Sequence, residues 1–220
     1  MKFQLKKELP LIAIVAIPFI YLYYVWDKLS DQVPLHWNLQ GEVDRYGSKS
    51  ELILIPFVLP FLIYVLFLII PSIDPKGKIE KMGNKFYSLK FILTLSMSLL
   101  AIYMIYSSQT NHTANPNFIT LGIGVLFCIL GNYFKTIKPN YFIGIRTPWA
   151  LENEEVWKAT HQLAGKMWFI SGILIIILSL ILNSKYNMYA FVTITIIITV
   201  IPIVFSYISF KKYKNIEQEN

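Results

Sequence analysis

The sequence predicts an all-α, polytopic integral membrane protein of about six transmembrane helices. Both termini are expected in the cytoplasm, with one ordered extracytoplasmic loop and one cytoplasmic interfacial helix. Three observations carry this reading. Of 220 residues, 55% are hydrophobic and only 15% charged, with a mean hydropathy of +0.51, whereas soluble domains carry about 25% charge. Six uncharged apolar runs approach the ~20 helical residues that a bilayer core requires, at 9–26, 52–71, 91–106, 118–133, 167–182 and 189–210. The basic residues also partition: sixteen of the 20 Lys and Arg fall in alternate segments that include both termini, and four in the segments between. The positive-inside rule then puts both termini inside.

Taken in order, the first run follows a basic flank, MKFQLKKELP, like the start of a secretion signal. The run is long and ends in YLYYVWDK with no small-x-small cleavage site, which predicts an uncleaved first span. The second contains Pro56 and Pro60, which predict a kink. Pro18 and Pro202 also fall inside spans, where neighbouring helices re-satisfy the freed backbone groups. The third, fourth and fifth runs are nearer 16 residues, so each extends into polar flanks or, taken alone, is a buried core helix. The second and sixth do not fit a soluble fold, because a soluble helix keeps one polar side. Trp26, Trp149, Trp168, Tyr21 and Tyr133 lie near span ends, where amphipathic rings prefer the headgroups. The expected organisation is 1–72 (two spans and the outer loop), 73–117 (a linker region with the third span), 118–210 (three spans and the cytoplasmic loop) and a tail at 211–220.

The net charge of +7 is compatible in principle with nucleic acid, acidic lipid or membrane topology. Split by side it becomes +8 for the cytoplasmic segments and −1 for the outer ones, so orientation accounts for it and no direct nucleic-acid binding is expected. The single cysteine, Cys128, excludes an intrachain disulfide or a cysteine metal cluster.

Two polar segments carry the functional information. The outer loop reads DKLSDQVPLHWNLQGEVDRYGSKSE, with apolar Val33, Leu35, Trp37, Leu39 and Val43 and turn-forming Pro34, Gly41 and Gly47, a composition that argues for order. Alternation in VPLHWNL suits a short strand with His36 and Asn38 on one side and Leu35 and Trp37 on the other. His36, Glu42 and Asp44 are competent metal ligands. The spacing is not that of a tight ligand set, and the competing reading has His36 and Asn38 satisfying backbone groups of a folded cap; no metal or other cofactor is expected.

The cytoplasmic loop reads GNYFKTIKPNYFIGIRTPWALENEEVWKATHQLAGKMWF. Thr147–Pro148 is an N-cap followed by the favoured first-turn proline, and Asn153 before Glu154 and Glu155 is a second helix start. Val156, Trp157, Thr160, His161 and Ala164 share one helical face, with Lys158 and Gln162 on another. Two readings stay open: a headgroup anchor with Arg146 on lipid phosphate, or a recognition surface of Arg146, Trp149, Trp157 and His161 for a cytoplasmic partner.

The predicted topology separates His36 (outside) from His161 (inside), so they cannot share a site, and His112 stands alone outside. No HExxH, nucleophile elbow, P-loop or dinucleotide fingerprint occurs, and the spans hold almost no ionisable side chains, which argues against ion-coupled transport.

VPLHWNLQGEVDRYGSK (33–49) resembles the extracytoplasmic motif of the DUF1648 proteins, and GNYFKTIKPNYFIGIRTPW with VWKATHQLAGK (131–149 and 156–166) is similar to the signature of the SdpI immunity protein family. The order of the motifs, the IDPKGK stretch at 73–78 and the length also match. The resemblance implies a non-enzymatic, multi-pass protein of the bacterial cell membrane that protects against a secreted, membrane-disrupting toxic peptide of the SDP kind. In the best-known member it implies a receptor that also holds an ArsR-type transcriptional repressor at the membrane. The family's motif positions fall here on Pro34, His36, Trp37, Asn38, Gly41 and Asp44 outside, as candidate toxin contacts. Inside they fall on Lys138, Pro139, Asn140, Gly144, Arg146, Thr147, Pro148, Trp149, Trp157 and His161, of which all but Pro139 and Gly144 are candidate partner contacts. The alternatives are a small-molecule or lipid transporter, with Pro56 and Pro60 as a hinge and Gly122, Gly124 and Gly131 allowing close helix approach, and a surface metalloenzyme at His36 and Asp44.

Overall fold

The computed structural model describes residues 4–110 and 115–219; Lys2 and His112 lie outside these ranges. Six helices are long and apolar enough to cross a membrane: Leu5–Lys28, Lys49–Ile73, Asn84–Gln109, Pro116–Phe134, Glu154–Ile181 and Ser184–Lys214. Their outer faces carry exposed Ile, Leu, Val and Phe, such as Ile170, Leu180, Ile196 and Ile208. Such faces are stable against lipid and not against water, and the chain is a multi-pass membrane protein. The three runs that are short in sequence are full-length spans because each helix continues into its polar flanks. The chain divides into two compact units, Met1–Pro116 and Asn117–Asn220.

In the first unit, α1 (Leu5–Val25) leads through a 3-10 turn at Trp26–Lys28 into an antiparallel hairpin, β1 (Gln32–Trp37) and β2 (Val43–Ser48). The second strand is not apparent from sequence alternation, since Asp44, Arg45 and Tyr46 are all exposed. Register shifts between Pro34 and His36 and between His36 and Trp37 break the regular alternation of β1. After the hairpin, the Glu51 carboxylate accepts from the Ser48 N–H (3.1 Å) and starts a 3-10 turn, Lys49–Ile53. The second span changes helix type around its prolines, from α2 (Leu54–Pro56) through a π turn (Phe57–Phe61) holding Pro60 to α3 (Leu62–Ile73). Proline cannot donate to the preceding turn, and the ladder shifts register where the donor is missing. The last helix of the unit is α4 (Asn84–Thr110).

The hairpin is fixed to the helices by a buried cluster of Leu22, Val25, Leu29, Val33, Leu52 and Ile105, and the Ser108 hydroxyl donates to the buried Pro34 carbonyl at 2.8 Å. Further along the helices, Leu11, Val15 and Tyr64 form a second cluster. Below it Lys90 donates to Glu8 at 2.5 Å and lies 4.6 Å from the Tyr64 ring centroid. Glu8 and Lys90 stand on α1 and α4 just outside the apolar runs at 9–26 and 91–106, and both are buried, at 8% and 3% exposure.

In the second unit, α5 (Pro116–Phe134) is followed by the GIRTPW loop, the short α6 (Pro148–Glu152), α7 (Glu154–Ile181) and α8 (Ser184–Glu219). Helices α5 and α7 meet backbone to backbone. A Cβ on Gly165 would lie 2.7 Å from the Gly131 carbonyl, and one on Gly172 2.6 Å from the Gly124 carbonyl. Gly122 has open space around it and takes no part. Without apolar solvent exclusion to drive association inside a bilayer, such close approach is how transmembrane helices gain packing energy. Phe127, Ile175 and Ile198 fill the core beside Trp168. At the far end, Asn187 donates to Asn117 (2.9 Å) and Thr120 (2.7 Å), and Asn117 donates to the Ser179 and Leu182 carbonyls that close α7.

Candidate functional site

The two motif loops are built on the same plan: an asparagine folds the backbone around its own amide, and a histidine ties the result down. In the hairpin, the Asn38 carboxamide oxygen accepts from the N–H groups of Gln40 (2.9 Å) and Glu42 (3.0 Å), while its amide donates to the Glu42 carboxylate (3.1 Å). Asn and Asp favour such turns because the short side chain mimics a backbone acceptor. Gly41 completes the turn at φ 82°, a conformation open to glycine. Across the strands, His36 Nδ1 meets Asp44 at 2.5 Å.

The H-W-N-x-x-G-x-x-D spacing therefore encodes a turn with a strap across its base. Among the described residues no group of three His, Cys, Asp or Glu stands together as a metal site; Glu42 is held by Asn38 rather than drawn toward His36 and Asp44. His36 and Asp44 are exposed, Trp37 and Asn38 half-buried, and Pro34 and Gly41 buried. The Trp37 indole nitrogen is buried without a partner, a donor left unsatisfied at a cost of about 1–3 kcal/mol.

In the second unit the GIRTPW loop is pinned from below. Asn140, 1% exposed, accepts from the N–H groups of Phe142 (2.9 Å) and Ile143 (2.7 Å) and donates to the Lys138 and Ile143 carbonyls. His161, on α7, accepts from the Ile145 N–H at 3.0 Å through Nε2, and its Nδ1 faces the Trp157 carbonyl at 2.8 Å. An Nε2 that accepts carries no proton, so Nδ1 holds the hydrogen and the ring is neutral. Trp157 stacks on this ring at 4.0 Å and donates to the Ile137 carbonyl at 2.8 Å. Gly144, at φ 107°, sits directly over the imidazole, and a Cβ there would run into Nε2.

The predicted helix starts are present. Thr147 caps α6, and Asn153 caps α7 by accepting from Glu155 and Val156. The predicted face of Val156, Trp157, Thr160, His161 and Ala164 is buried throughout. At 1% exposure each, Trp157 and His161 lie beneath the loop and support it rather than standing on its surface. Trp149 is also engaged, donating to Ser206 of α8 at 2.5 Å and packing on Tyr207. The surface that remains comprises Lys138, Arg146 and Pro148, all exposed, with Arg146 oriented by its bond to the Tyr141 carbonyl (2.6 Å). Sequence reasoning missed Ser206, a small polar residue inside an apolar run, whose signal is that a hydroxyl in a span needs a partner.

Comparison with known proteins agrees with both loops. The profile of the SdpI/YfhL protein family matches residues 136–206, and that of a domain of unknown function, DUF1648, matches residues 13–59. Among curated proteins, the chain is 27% identical over 213 residues to "Immunity protein SdpI" of Bacillus subtilis (strain 168), covering 94% of this chain and 98% of that one. It is also 37% identical over 54 residues to an uncharacterized protein of Archaeoglobus fulgidus, covering 24% of this chain and 30% of that protein. No solved structure matches significantly.

Proposed function

We propose that this chain, which carries a DUF1648 region followed by an SdpI/YfhL region, is a non-enzymatic membrane immunity protein that gives its cell resistance to a secreted toxic peptide of the SDP type. The observation that carries the proposal is likeness to an immunity protein along 94% of the chain, with both motifs folded into self-supporting loops on a multi-pass bundle. The exposed edge of the hairpin, His36, Asp44, Arg45 and Tyr46, offers a peptide mixed polar and aromatic contacts at the membrane surface. In this reading both termini are cytoplasmic and the hairpin faces outward.

The same reading gives the GIRTPW loop to a cytoplasmic ArsR-type repressor, held at the membrane when toxin is present. Its docking surface is centred on Lys138, Arg146 and Pro148, with Asn140, Trp157 and His161 supporting it from within and Thr147 and Trp149 fixing it to α6 and α8. Expression in a sensitive strain, followed by challenge with the peptide, tests immunity: survival above an empty vector is expected, and survival equal to it contradicts the proposal. Arg146→Ala is expected to abolish recruitment of the repressor to membranes while leaving survival intact.

A further inference from the structure

We infer that the crevice between α5 and α7, at the end of the bundle where the GIRTPW loop begins, is a binding site for the headgroup phosphate of an anionic membrane lipid. The crevice has a volume of about 530 Å³. Its floor is the Gly131–Gly165 crossing, where two backbones touch and no side chain can fill the space. Asn132 and Lys135 come from the last turn of α5 and the residue just beyond it, and Gln162 and Lys166 are one turn apart on α7. Two lysines and two carboxamide residues therefore line the crevice, and no carboxylate does.

None of these four side chains makes a hydrogen bond or ion pair among the described residues, whereas Asn140, His161, Trp149 and Trp157 at the same end of the unit are all engaged. Two unneutralised cations with adjacent amide donors match a phosphate monoester or diester by charge and by donor count. Phe169, 44% exposed, closes the membrane-facing end. Lys166 immediately precedes the apolar run of α7 that begins at Met167, and Lys135 directly follows α5. The cations therefore stand where the helices leave the hydrocarbon, the depth of lipid phosphates, and Phe169 offers an apolar wall to the first methylenes of an acyl chain. That combination favours a lipid over free phosphate.

The site is distinct from the exposed Lys138 and Arg146 surface, and its occupancy does not depend on the proposed immunity. Full-length protein in mild detergent is mixed with phosphatidylglycerol, phosphatidylcholine or inorganic phosphate, and retained ligand is read by native mass spectrometry. Phosphatidylglycerol is expected to bind in preference to phosphatidylcholine. Each of Lys135→Gln and Lys166→Gln is expected to weaken it by about fivefold, and the double variant by about thirtyfold, at roughly 1 kcal/mol per lysine near a membrane surface. Lys185→Gln, at the α7–α8 turn, and the double Lys→Arg variant are expected to bind as the parent does, which separates loss of charge from loss of fold. Equal retention of the two lipids, unchanged binding by the double Gln variant, or full displacement by inorganic phosphate overturns the inference.

Discussion

Gly144 is the most sharply determined position in the second unit, and Gly144→Ala is expected to be the most damaging single-methyl change there. Two effects add. An alanine held in the left-handed region costs about 1–2 kcal/mol, and the Gly144 backbone is at φ 107°. The new Cβ also occupies the place of His161 Nε2. Moving the ring breaks its bond from the Ile145 N–H and leaves a partly buried donor unpaired, at about 1–3 kcal/mol. The expected total is about 2–5 kcal/mol.

Gly77 supplies the control, since it too has positive φ (58°) but a Cβ added there would meet nothing within 4 Å; Gly77→Ala is expected to cost only the backbone strain. Tryptophan fluorescence during thermal or denaturant unfolding in detergent is a direct assay, because Trp157 stacks on the displaced ring. His161→Ala in the Gly144→Ala background removes the collision. The double variant is therefore expected to lose less stability than the sum of the singles, by the coupling of about 0.5–3 kcal/mol seen between touching residues. Equal losses for Gly144→Ala and Gly77→Ala, or strict additivity with His161→Ala, would refute the clamp.

Three further outcomes follow from the packing. Removing one partner of the buried Glu8–Lys90 pair, as in Lys90→Met, is expected to cost about 3–5 kcal/mol, and Glu8→Gln added to it to recover much of that loss in the same melts. Gly131→Ala and Gly165→Ala each push a methyl group into the opposing backbone and are expected to lose about 1–3 kcal/mol. Gly122→Ala, in open space, should stay within about 0.5 kcal/mol. Asn38→Ala uncaps the hairpin turn, and limited proteolysis is expected to nick residues 38–42 faster than in the parent, with Asn38→Asp between the two because it keeps the acceptor oxygen but sets a second carboxylate against Glu42.

The membrane spans and the N-caps of α6 and α7 were legible because each depends on local chemistry, apolar length or a capping side chain; the helical period showed which residues of α7 share a face but not that the face is buried. Trp157 and His161 read as a surface in sequence since aromatic and imidazole rings are common at interfaces. Their burial depends on the Gly131–Gly165 crossing and on loop carbonyls up to 20 residues away, which no local pattern encodes. The Glu8–Lys90 pair was hidden for the same reason, its partners being 82 residues apart and each sitting in an apparently basic flank. Strand β2 was masked by its run of exposed residues, and its pairing with β1 rests on the Asn38 turn.

Membrane potential tests immunity most directly. Cells of a sensitive bacterium carrying either this chain or an empty vector are loaded with a potential-sensitive dye and exposed to purified SDP-type peptide. The account predicts that cells making the chain keep their potential at peptide doses that depolarise the vector control. Depolarisation at the same rate and dose in both, with the protein present in the membrane, would contradict it.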